Sequence, residues 1–481
     1  MSQASRRTGL IVCFLFPLLA FAGPLTDSVI RPASTKYTNI NFLKRIFLGK
    51  NYRAEWSQPV KMAVFDIKTV KGGLTPGELG GGQQTKSLRL KDKQGEEWVL
   101  RTVDKEVEKA LQPHMRKTVV KKVVQDMVSA SHPYAPLTVH ELARAVKVAA
   151  PDPTLYFVPE DPALGEHYKT FANTVCMLER REPTIDKSET EDTYDVLKEI
   201  MKPRHSVIQE QVLRARLLDM LIADWDRHID QWRWGILDSG RNKYYYAIPR
   251  DRDFAYFDSK GLLVNVMSWI SLPHMRGFTK ESKGLTRLNH KSIFFDHNFL
   301  NELDKAAWER VIADFQQSIT DSVISRAIKS MPPEVYAISG AEIESKLRTR
   351  RDGLMKNALK YYENLAAIVH VMGTDKQDFF RVSRQGDDMA VSIYNYNGKD
   401  TGNILYHSVF KRSETAEIFL EGFGDDDHFE IEEGVDSKIL LRIYGGNGKD
   451  TLTKRGKVRD KIEEIENEHA GNSLTAIKKD R

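Results

Sequence analysis

The pattern of apolar and polar residues changes twice along this chain of 481 residues. Apolar and polar residues alternate in "AVFDIKTV", "TKSLRLKD" and "EEWVLRTV", which predicts strands with one buried face within residues 63–103. In "QEQVLRARLLDMLIADW" the residues Leu213, Leu217 and Leu221 recur at helical spacing, which predicts an amphipathic helix. Short alternating runs return after Gly373. The pattern therefore predicts strands, then helices, then strands again.

These changes place the chain in the α+β class, with two lobes followed by a small strand-rich domain. Helical patterns dominate residues 300–372, and turn-rich alternation follows them. The predicted organisation is a signal peptide at 1–22, a leader at 23–55, an N-terminal lobe at 56–180, a helical C-terminal lobe at 181–372, a small β domain at 373–460 and a polar tail at 461–481.

The N-terminus has the parts of a secretory signal. A basic start, "MSQASRR", precedes the short apolar run "GLIVCFLFPLLAFA", and its final Ala-Phe-Ala fits a small-x-small cleavage site. The alternative is an anchor that is retained. No other segment is apolar for long enough to span a membrane. We therefore expect an exported protein of the periplasm, the extracellular space or the cell envelope, without a membrane span in its mature form.

Composition narrows the possible partners. The chain is 41% hydrophobic and 29% charged, with a net charge of +5, which is ordinary for a globular protein that buries a core. It has no dense block of Lys or Arg, so we predict no nucleic-acid partner. Removal of the signal would leave Cys176 as the one cysteine, which excludes an internal disulfide and predicts a buried packing residue.

Two acidic clusters carry the candidate chemistry. "DWDRHIDQWRW" begins at Asp224, directly after the predicted helix, and "PRDRDF" follows a predicted hairpin. Asp226, on a loop, is placed to accept a proton, and His228 is a second catalytic candidate or a hydrogen-bonded structural histidine. Asp251 and Asp253 are two residues apart, so on a strand both would point into one cleft. The alternative is a charged surface network.

Phosphoryl transfer from ATP would give these residues roles. It needs a loop that covers the phosphates, a cation that holds them, a proton acceptor, and oxygen ligands for Mg²⁺ or Mn²⁺. The predicted metal ligands are Asp251, Gln231 and Asp253. The predicted nucleotide-binding residues are Gly80, Gly81 and Gly82 in a flexible glycine-rich loop that begins at Gly72, the cations Lys86, Arg101 and Lys105, and Glu179.

Some assignments stay open at this level. Glu179 either bounds the nucleotide cleft or is a solvated strand end. The acid that would pair with the phosphate-binding cation is either Asp126 or Glu108. The phrase "NGKDT" occurs at 397–401 and again at 447–451. It is similar to the Ca²⁺-binding turns of parallel β-rolls, but two distant copies are too few, and the pattern favours tight hairpin turns.

The order of these motifs resembles that of atypical kinases, above all the CotH-like spore-coat group, with HipA-like and secretory kinases further away. "DWDRHIDQ" and then "YYYAIPRDRDFAYF" match that group's catalytic loop and metal-binding strand end. The resemblance spans residues 60–370. It implies a two-lobed protein-kinase-like fold, with Asp226 as catalytic Asp and Asp251 as metal Asp. It also implies that "CMLERRE" links the lobes against the adenine.

The chain departs from that pattern twice, with Gln231 where Asn is usual and Arg101 where Lys is usual. It also resembles bacterial envelope proteins with "GDWDRHEDQWRW" and "PRDRDQAF". Three functions remain open. They are an exported ATP-dependent kinase acting on a hydroxyl of an envelope or secreted substrate, a catalytically silent envelope module that binds a partner, and nucleotidyl transfer on the same scaffold.

Overall fold

The computed structural model describes residues 27–80, 85–111, 114, 116–117, 119–184, 188–202 and 204–462. The predicted signal peptide, Gly81, Gly82 and the tail beyond residue 462 lie outside the described residues. Within these ranges the fold is α+β. None of the helices in the described ranges is long and apolar enough to cross a membrane.

The N-terminal lobe is built on one sheet of the described chain. Its strands are β1 Ser28–Arg31, β2 Val60–Val64, β3 Leu74–Gly80, β4 Ser87–Asp92, β5 Glu97–Thr102, β6 Thr154–Val158 and β7 Thr174–Arg180. Their order across the sheet is β1-β2-β6-β7-β5-β4-β3. Leu88 lies opposite Leu100, which lies opposite Leu178, and all three are buried. The alternation in the sequence thus becomes one apolar face.

Two segments of this lobe differ from expectation. The leader is structured, because β1 pairs with β2 and the helices α1 (Phe42–Leu48) and α2 (Arg53–Ser57) follow it. The first part of the glycine-rich stretch is a strand instead of a flexible loop, because β3 pairs with β4, with a register shift between Pro76 and Leu79. A neighbouring strand supplies hydrogen bonds that outweigh the low intrinsic strand preference of these glycines.

Helices form most of the C-terminal lobe and the rim of the first sheet. They are α3 Val119–Met127, α4 Ala135–Ala145, α5 Tyr168–Phe171, α6 Thr193–Glu199, α7 Gln209–Ile222, α8 Leu262–Ile270, α9 Leu285–Leu288, α10 Ile293–Phe299, α11 Lys305–Ser318, α12 Asp321–Ile328, α13 Pro333–Val335, α14 Ala341–Asp352 and α15 Leu354–Ala366. The predicted helix is α7, but its predicted amphipathic character is wrong. From Ala215 to Ile222 it is buried on every side, because α4, α11, α14 and the hairpin pack around it, whereas the side chain of Glu210 near its start is partly exposed.

A second, small sheet presents the loops that carry the acidic clusters. It consists of β8 Glu191–Asp192, β9 His205–Val207, β10 Trp232–Asp238 and β11 Lys243–Pro249. The order is β8-β10-β11-β9, and β10 and β11 form the predicted hairpin. Trp225, Trp232 and Trp234 are buried.

The C-terminal domain is a short parallel coil. Its strands are β12 Ile368–Met372, β13 Asp378–Gln385, β14 Asp388–Tyr396, β15 Thr401–Phe410, β16 Glu417–Glu421, β17 His428–Ile431, β18 Asp436–Tyr444, β19 Thr451–Lys454 and β20 Lys457–Ile462. In one sheet β12, β16, β18 and β20 are parallel neighbours. In the other, β13, β17 and β19 are parallel, and β14 and β15 extend the edge as an antiparallel pair.

The two copies of "NGKDT" therefore have different structures. The copy at 397–401 connects β14 and β15 and is a hairpin turn, as predicted. The copy at 447–451 connects β18 to β19, which lie in different sheets, so the hairpin interpretation is wrong there. Asp378, Asp427 and Asp450 stack at successive turns of the coil, and we call them the aspartate ladder. Their stacking needs neighbouring coils, which sequence spacing does not reveal.

Candidate functional site

The hairpin brings the two acidic clusters side by side. Helix α7 ends in a left-handed residue, Ala223 (φ 58°), which turns the chain into the loop before β10. Trp232 at the start of β10 lies opposite Pro249 at the end of β11. Just beyond that pair, the Arg250 N–H donates a hydrogen bond to the Gln231 carbonyl at 2.9 Å. Residues 224–231 and 250–253 therefore line the same edge of the small sheet.

A buried ionic network fixes this edge. Arg227 and Arg252 both reach Asp219 on α7 and Asp224 in the loop, with Arg227 Nε 3.3 Å from Asp219 and Arg252 Nη1 3.2 Å from Asp224. Arg216 extends the network to further residues of the C-terminal lobe. Because buried charges are costly unless paired and hydrogen-bonded, this network constrains the backbone that presents the acids.

The N-terminal sheet supplies cations to the same place. Lys105 Nζ lies 2.9 Å from Asp253 Oδ2, and Arg101 Nη2 lies 3.1 Å from Glu179 Oε1. Together with Asp251, these residues form what we call the cleft cluster. Burial raises the pKa of Glu179 above its ordinary value, against the opposing charges of Arg101 and Arg250. Burial alone would lower the pKa of Lys105, but the charges of Asp253 and Asp251 outweigh it and raise that pKa.

Asp251 is the exposed acid of the cleft cluster. It forms no salt bridge within the described chain, unlike Asp253. Although the residue is exposed, the protein atoms crowded around its carboxylate displace water, which by itself would raise the pKa of Asp251, but Lys105, Arg101 and Arg227 hold that pKa below its ordinary value. The carboxylate is therefore charged and open to a ligand. The prediction that Asp251 and Asp253 share a strand face is wrong, because β11 ends at Pro249 and Asp251 has a left-handed backbone (φ 57°).

Asp226 occupies the predicted loop, but it is paired. Its carboxylate forms a salt bridge with Lys291, at the start of the α10 region. His274 and His290 are close enough to sense both charges, and burial lowers the pKa of His274 to about 4. Sequence reasoning missed Lys291 and the two histidines. They lie far along the chain in segments without a motif, and only tertiary packing brings them to Asp226.

The other candidates of this loop have local contacts. His228 is about four-tenths exposed, and its Nδ1 lies 3.4 Å from Asp230. The Gln231 amide oxygen accepts from the His228 N–H and from Arg227, both at 3.4 Å. Gln231 therefore caps the short turn before β10. It could serve a metal only if this cap opened.

The remaining candidate residues lie outside the cleft cluster. Gly80 ends β3, whereas Lys86 pairs with Glu106 at 3.1 Å beside a separate cavity of about 500 Å³. Asp126 pairs with Arg53 and Glu108 pairs with Lys121, so in the described chain neither of these acids pairs with Arg101 or Lys105. Asp253 and Glu179 take that role instead.

The cleft between the lobes is narrow. The cavity beside Arg101, Lys105, Met177 and Asp253 measures about 30 Å³. Small-molecule pockets are roughly ten times larger, so a nucleotide would need the Lys105–Asp253 pair to separate. The Arg101 Nε–H is buried without a hydrogen-bond partner in the described chain, which makes it a donor suited to a phosphate oxygen.

Among the described residues, no group of three or more His, Cys, Asp or Glu side chains is placed to hold a metal ion. Mg²⁺ commonly binds through one or two carboxylates, waters and the phosphates of a nucleotide. Asp251 and Asp253 fit such a shared site, because Asp251 is exposed and Asp253 would be free to bind the ion if Lys105 turned to a phosphate.

No protein-family model matches the chain, and no curated protein matches it. The Helicobacter pylori proinflammatory kinase CtkA is similar in structure, at 11% identity and a TM-score of 0.33, over 60% of this chain and 96% of CtkA. HipA of Shewanella oneidensis MR-1, solved with HipB and operator DNA, is also similar in structure, at 10% identity and a TM-score of 0.30, over 59% of this chain and 74% of HipA.

The Rio2 kinase of Chaetomium thermophilum, solved with ADP, Mg²⁺ and phosphoaspartate, gives 11% identity and a TM-score of 0.29, over 65% of this chain and 83% of Rio2. Two of these three proteins are named as kinases. The CotH-like resemblance stays a prediction.

Proposed function

We propose that this chain is an exported kinase-like phosphotransferase that binds ATP with Mg²⁺ or Mn²⁺ and acts on a hydroxyl of a protein or small molecule. The observation that supports the proposal is the cleft cluster. Arg101 on β5 and Lys105 just after that strand meet two acids that follow the hairpin, Asp251 and Asp253, between the two lobes. Phosphoryl transfer needs this combination of fixed charges.

Each residue has a separate task in this proposal. Arg101 and Lys105 bind phosphate oxygens, and Asp251 with Asp253 binds the divalent ion. The bound ion would neutralise charge on the transferred phosphoryl group. Asp226 accepts the proton of the attacking hydroxyl once Lys291 has turned away from it. His228 has no task in this proposal, and its Nδ1 lies 3.4 Å from Asp230.

A second candidate, a silent module that binds a partner, is favoured by one observation. The pairs Lys105–Asp253 and Asp226–Lys291 occupy both ends of the site, and the cavity between the lobes is about 30 Å³. Such internal pairing would stabilise a closed scaffold without any ligand. An active protein must therefore gain more from nucleotide and metal than it loses by opening these pairs.

Thermal unfolding with and without ATP and Mn²⁺ separates the two candidates. We expect the nucleotide–metal pair to raise the melting temperature of the purified protein, and Asp251→Asn to abolish that rise. Asp230→Asn is the matched control, because Asp230 is an exposed acid of the same edge that pairs only with His228 in the described chain. Absence of a shift with millimolar nucleotide would favour the silent module.

The position of the label identifies the transferred group. ATP labelled at the γ-phosphate should label an acceptor in a kinase reaction, whereas label at the α-phosphate would transfer in a nucleotidyl reaction. Asp226→Asn should retain the nucleotide-dependent thermal shift and lose transfer. Transfer that persists at the wild-type rate in Asp226→Asn would remove Asp226 from the mechanism.

A further inference from the structure

Two helices expose a set of large apolar side chains to solvent. Phe42 on α1 is 76% exposed, and Trp269 and Ile270 on α8 are 69% and 77% exposed. The set, which we call the apolar surface, consists of Phe42, Leu43, Ile46, Phe47, Leu262, Leu263, Val266, Trp269 and Ile270. Single exposed apolar residues are common, but a contiguous group of this size marks a surface that another phase or molecule covers.

A close backbone contact makes the two helices one surface. A Cβ on Gly261 would lie 2.4 Å from the Leu48 carbonyl carbon, so the end of α1 packs directly against the start of α8. A Cβ on Gly49 would lie 2.6 Å from the Gly261 nitrogen. The Lys260 N–H also donates to the Asn51 side chain at 3.3 Å. The apolar side chains of both helices are therefore held on one rigid corner of the fold.

The composition of α8 shows that this exposure is not a fraying end of the core. In Leu262–Ile270 only Val264 and Ser268 are buried, although most of the helix is apolar. Its inner face thus carries a small residue and a serine, while the larger apolar residues point outward. A helix that serves only the core has the opposite arrangement.

The charge around the apolar surface is positive. Residues 36–53 contain five Lys or Arg and no Asp or Glu. Residues 258–291 contain six Lys or Arg and two Asp or Glu. Some of the cations in these two stretches pair with acids of neighbouring segments, namely Lys36, Lys44, Arg53, Lys260 and Lys291. The cations that form no salt bridge within the described chain are Arg45, Lys50, Arg276, Lys280 and Arg287, and they carry the positive charge of this surface. The Arg276 guanidinium lies 5.9 Å from the Trp269 ring centre, and Arg287 donates to the Trp269 carbonyl. Two cations, Arg276 and Arg287, therefore lie against the exposed Trp269.

We propose that the apolar surface binds the face of an anionic lipid membrane. Large apolar side chains would enter the boundary between headgroups and acyl chains, and the surrounding Lys and Arg would attract anionic headgroups. Trp269 beside Arg276 suits that boundary, because an indole has an apolar ring and a polar N–H. A second copy of the chain would bring the same cluster of positive charges into contact with itself, so the charge argues against a dimer.

The position of the surface gives the docking a consequence. Helix α8 begins nine residues after Asp253, and it contacts the turn at Pro273–Met275. His274 of that turn senses the charge of Asp226. Docking through α8 would therefore hold the candidate site close to the membrane surface. The docking itself does not depend on the proposed phosphotransfer.

Vesicle flotation tests the proposal with the exported protein, after mass spectrometry has defined its N-terminus. We expect it to float with phosphatidylglycerol–phosphatidylcholine vesicles, to float less as NaCl rises, and to float poorly with phosphatidylcholine alone. Trp269→Glu/Ile270→Glu should weaken binding at least about tenfold. The matched control is Leu237→Glu/Ile404→Glu, which changes two exposed apolar residues elsewhere and should bind as wild type does.

Circular dichroism and the melting temperature must show that each variant is folded. A backup variant, Arg45→Glu/Arg276→Glu, should lose selectivity for anionic vesicles without any change in apolar residues. Equal flotation of wild type and Trp269→Glu/Ile270→Glu overturns the proposal. Absence of flotation of the wild-type protein with any vesicle also overturns the proposal. Light scattering then shows whether the wild type is a monomer, or a dimer that Trp269→Glu/Ile270→Glu dissociates. The nucleotide-dependent thermal shift should be unchanged in Trp269→Glu/Ile270→Glu. Failure of membrane binding and failure of the proposed function are therefore distinguishable.

Discussion

The aspartate ladder makes the stability of the C-terminal coil depend on pH. Asp427 is buried, its Oδ1 accepts from the Asp378 N–H at 2.8 Å, and its Oδ2 has no partner in the described chain. Burial raises the pKa of Asp427 to about 9, and the negative charges of Asp378, Asp450 and Asp425 add to the rise against the hydrogen bond from Asp378. Burial likewise raises the pKa of Asp378 to about 6.

The direction in which the free energy of unfolding changes with pH follows from proton binding to Asp427. The ordinary pKa of an Asp is 3.8, so between that value and about 9 the folded protein holds a proton on Asp427 that the unfolded protein has lost. Its contribution to stability is fully present below the unfolded pKa and is lost as pH rises through the folded pKa. Each pH unit in this window lowers the free energy of unfolding by about 1.4 kcal/mol, or about 2.7 kcal/mol from about pH 5 to about pH 7.

Hydrogen exchange followed by mass spectrometry measures this pH dependence for the C-terminal coil alone. Peptides from β17 and β18 give the free energy of opening of the coil at each pH, after correction for the intrinsic exchange rate. In Asp427→Asn the amide oxygen still accepts the hydrogen bond from Asp378, but the side chain cannot ionise. This variant should therefore lose the part of the pH dependence that is assigned to Asp427. Asp436→Asn, an exposed acid of β18, is the control and should keep the wild-type slope. An equal slope in wild type and Asp427→Asn would refute the reasoning.

Three further predictions concern the rest of the fold. Arg216→Met should lower the free energy of unfolding by about 3–5 kcal/mol, measured by urea denaturation, because it leaves Asp219 buried with one cation fewer. Gly261→Ala should cost about 1–3 kcal/mol and lower the melting temperature, because its new Cβ meets the Leu48 backbone. Cys176 is buried, with its pKa raised to about 12 by that burial, so a disulfide reagent should react with it only after unfolding; fast reaction of the native protein would contradict its burial.

Local pattern was enough for the elements that carry the candidate site. The alternation in "TKSLRLKD" and "EEWVLRTV" became β4 and β5, and the leucine-rich run became α7. The spacing between the acidic clusters predicted the β10–β11 hairpin, which is confirmed by the pairing of Trp232 with Pro249. These features depend on contacts between residues close in the sequence, which hydrophobic period and turn chemistry report directly.

Partners distant in the sequence were beyond that reasoning. Lys291 pairs with Asp226 across 65 residues, and no motif marks Lys291. Asp126, one of the two acids proposed as partner of a cleft cation, is instead held by Arg53 from the segment that was predicted to be a leader. A surface charge pattern does not say which cation a given acid meets, because that depends on how the lobes pack.

The sequence by itself determined the α+β class, the succession of strands, helices and further strands, and the loop that presents Asp226. Only the tertiary structure decided that the second "NGKDT" lies in a parallel coil, that the second half of α7 is buried on every side, and that two helices expose one apolar surface. The physical reason is that periodicity records whether a residue is apolar. It does not record which neighbour covers that residue, and burial, pairing and shifted pKa values all depend on the neighbour.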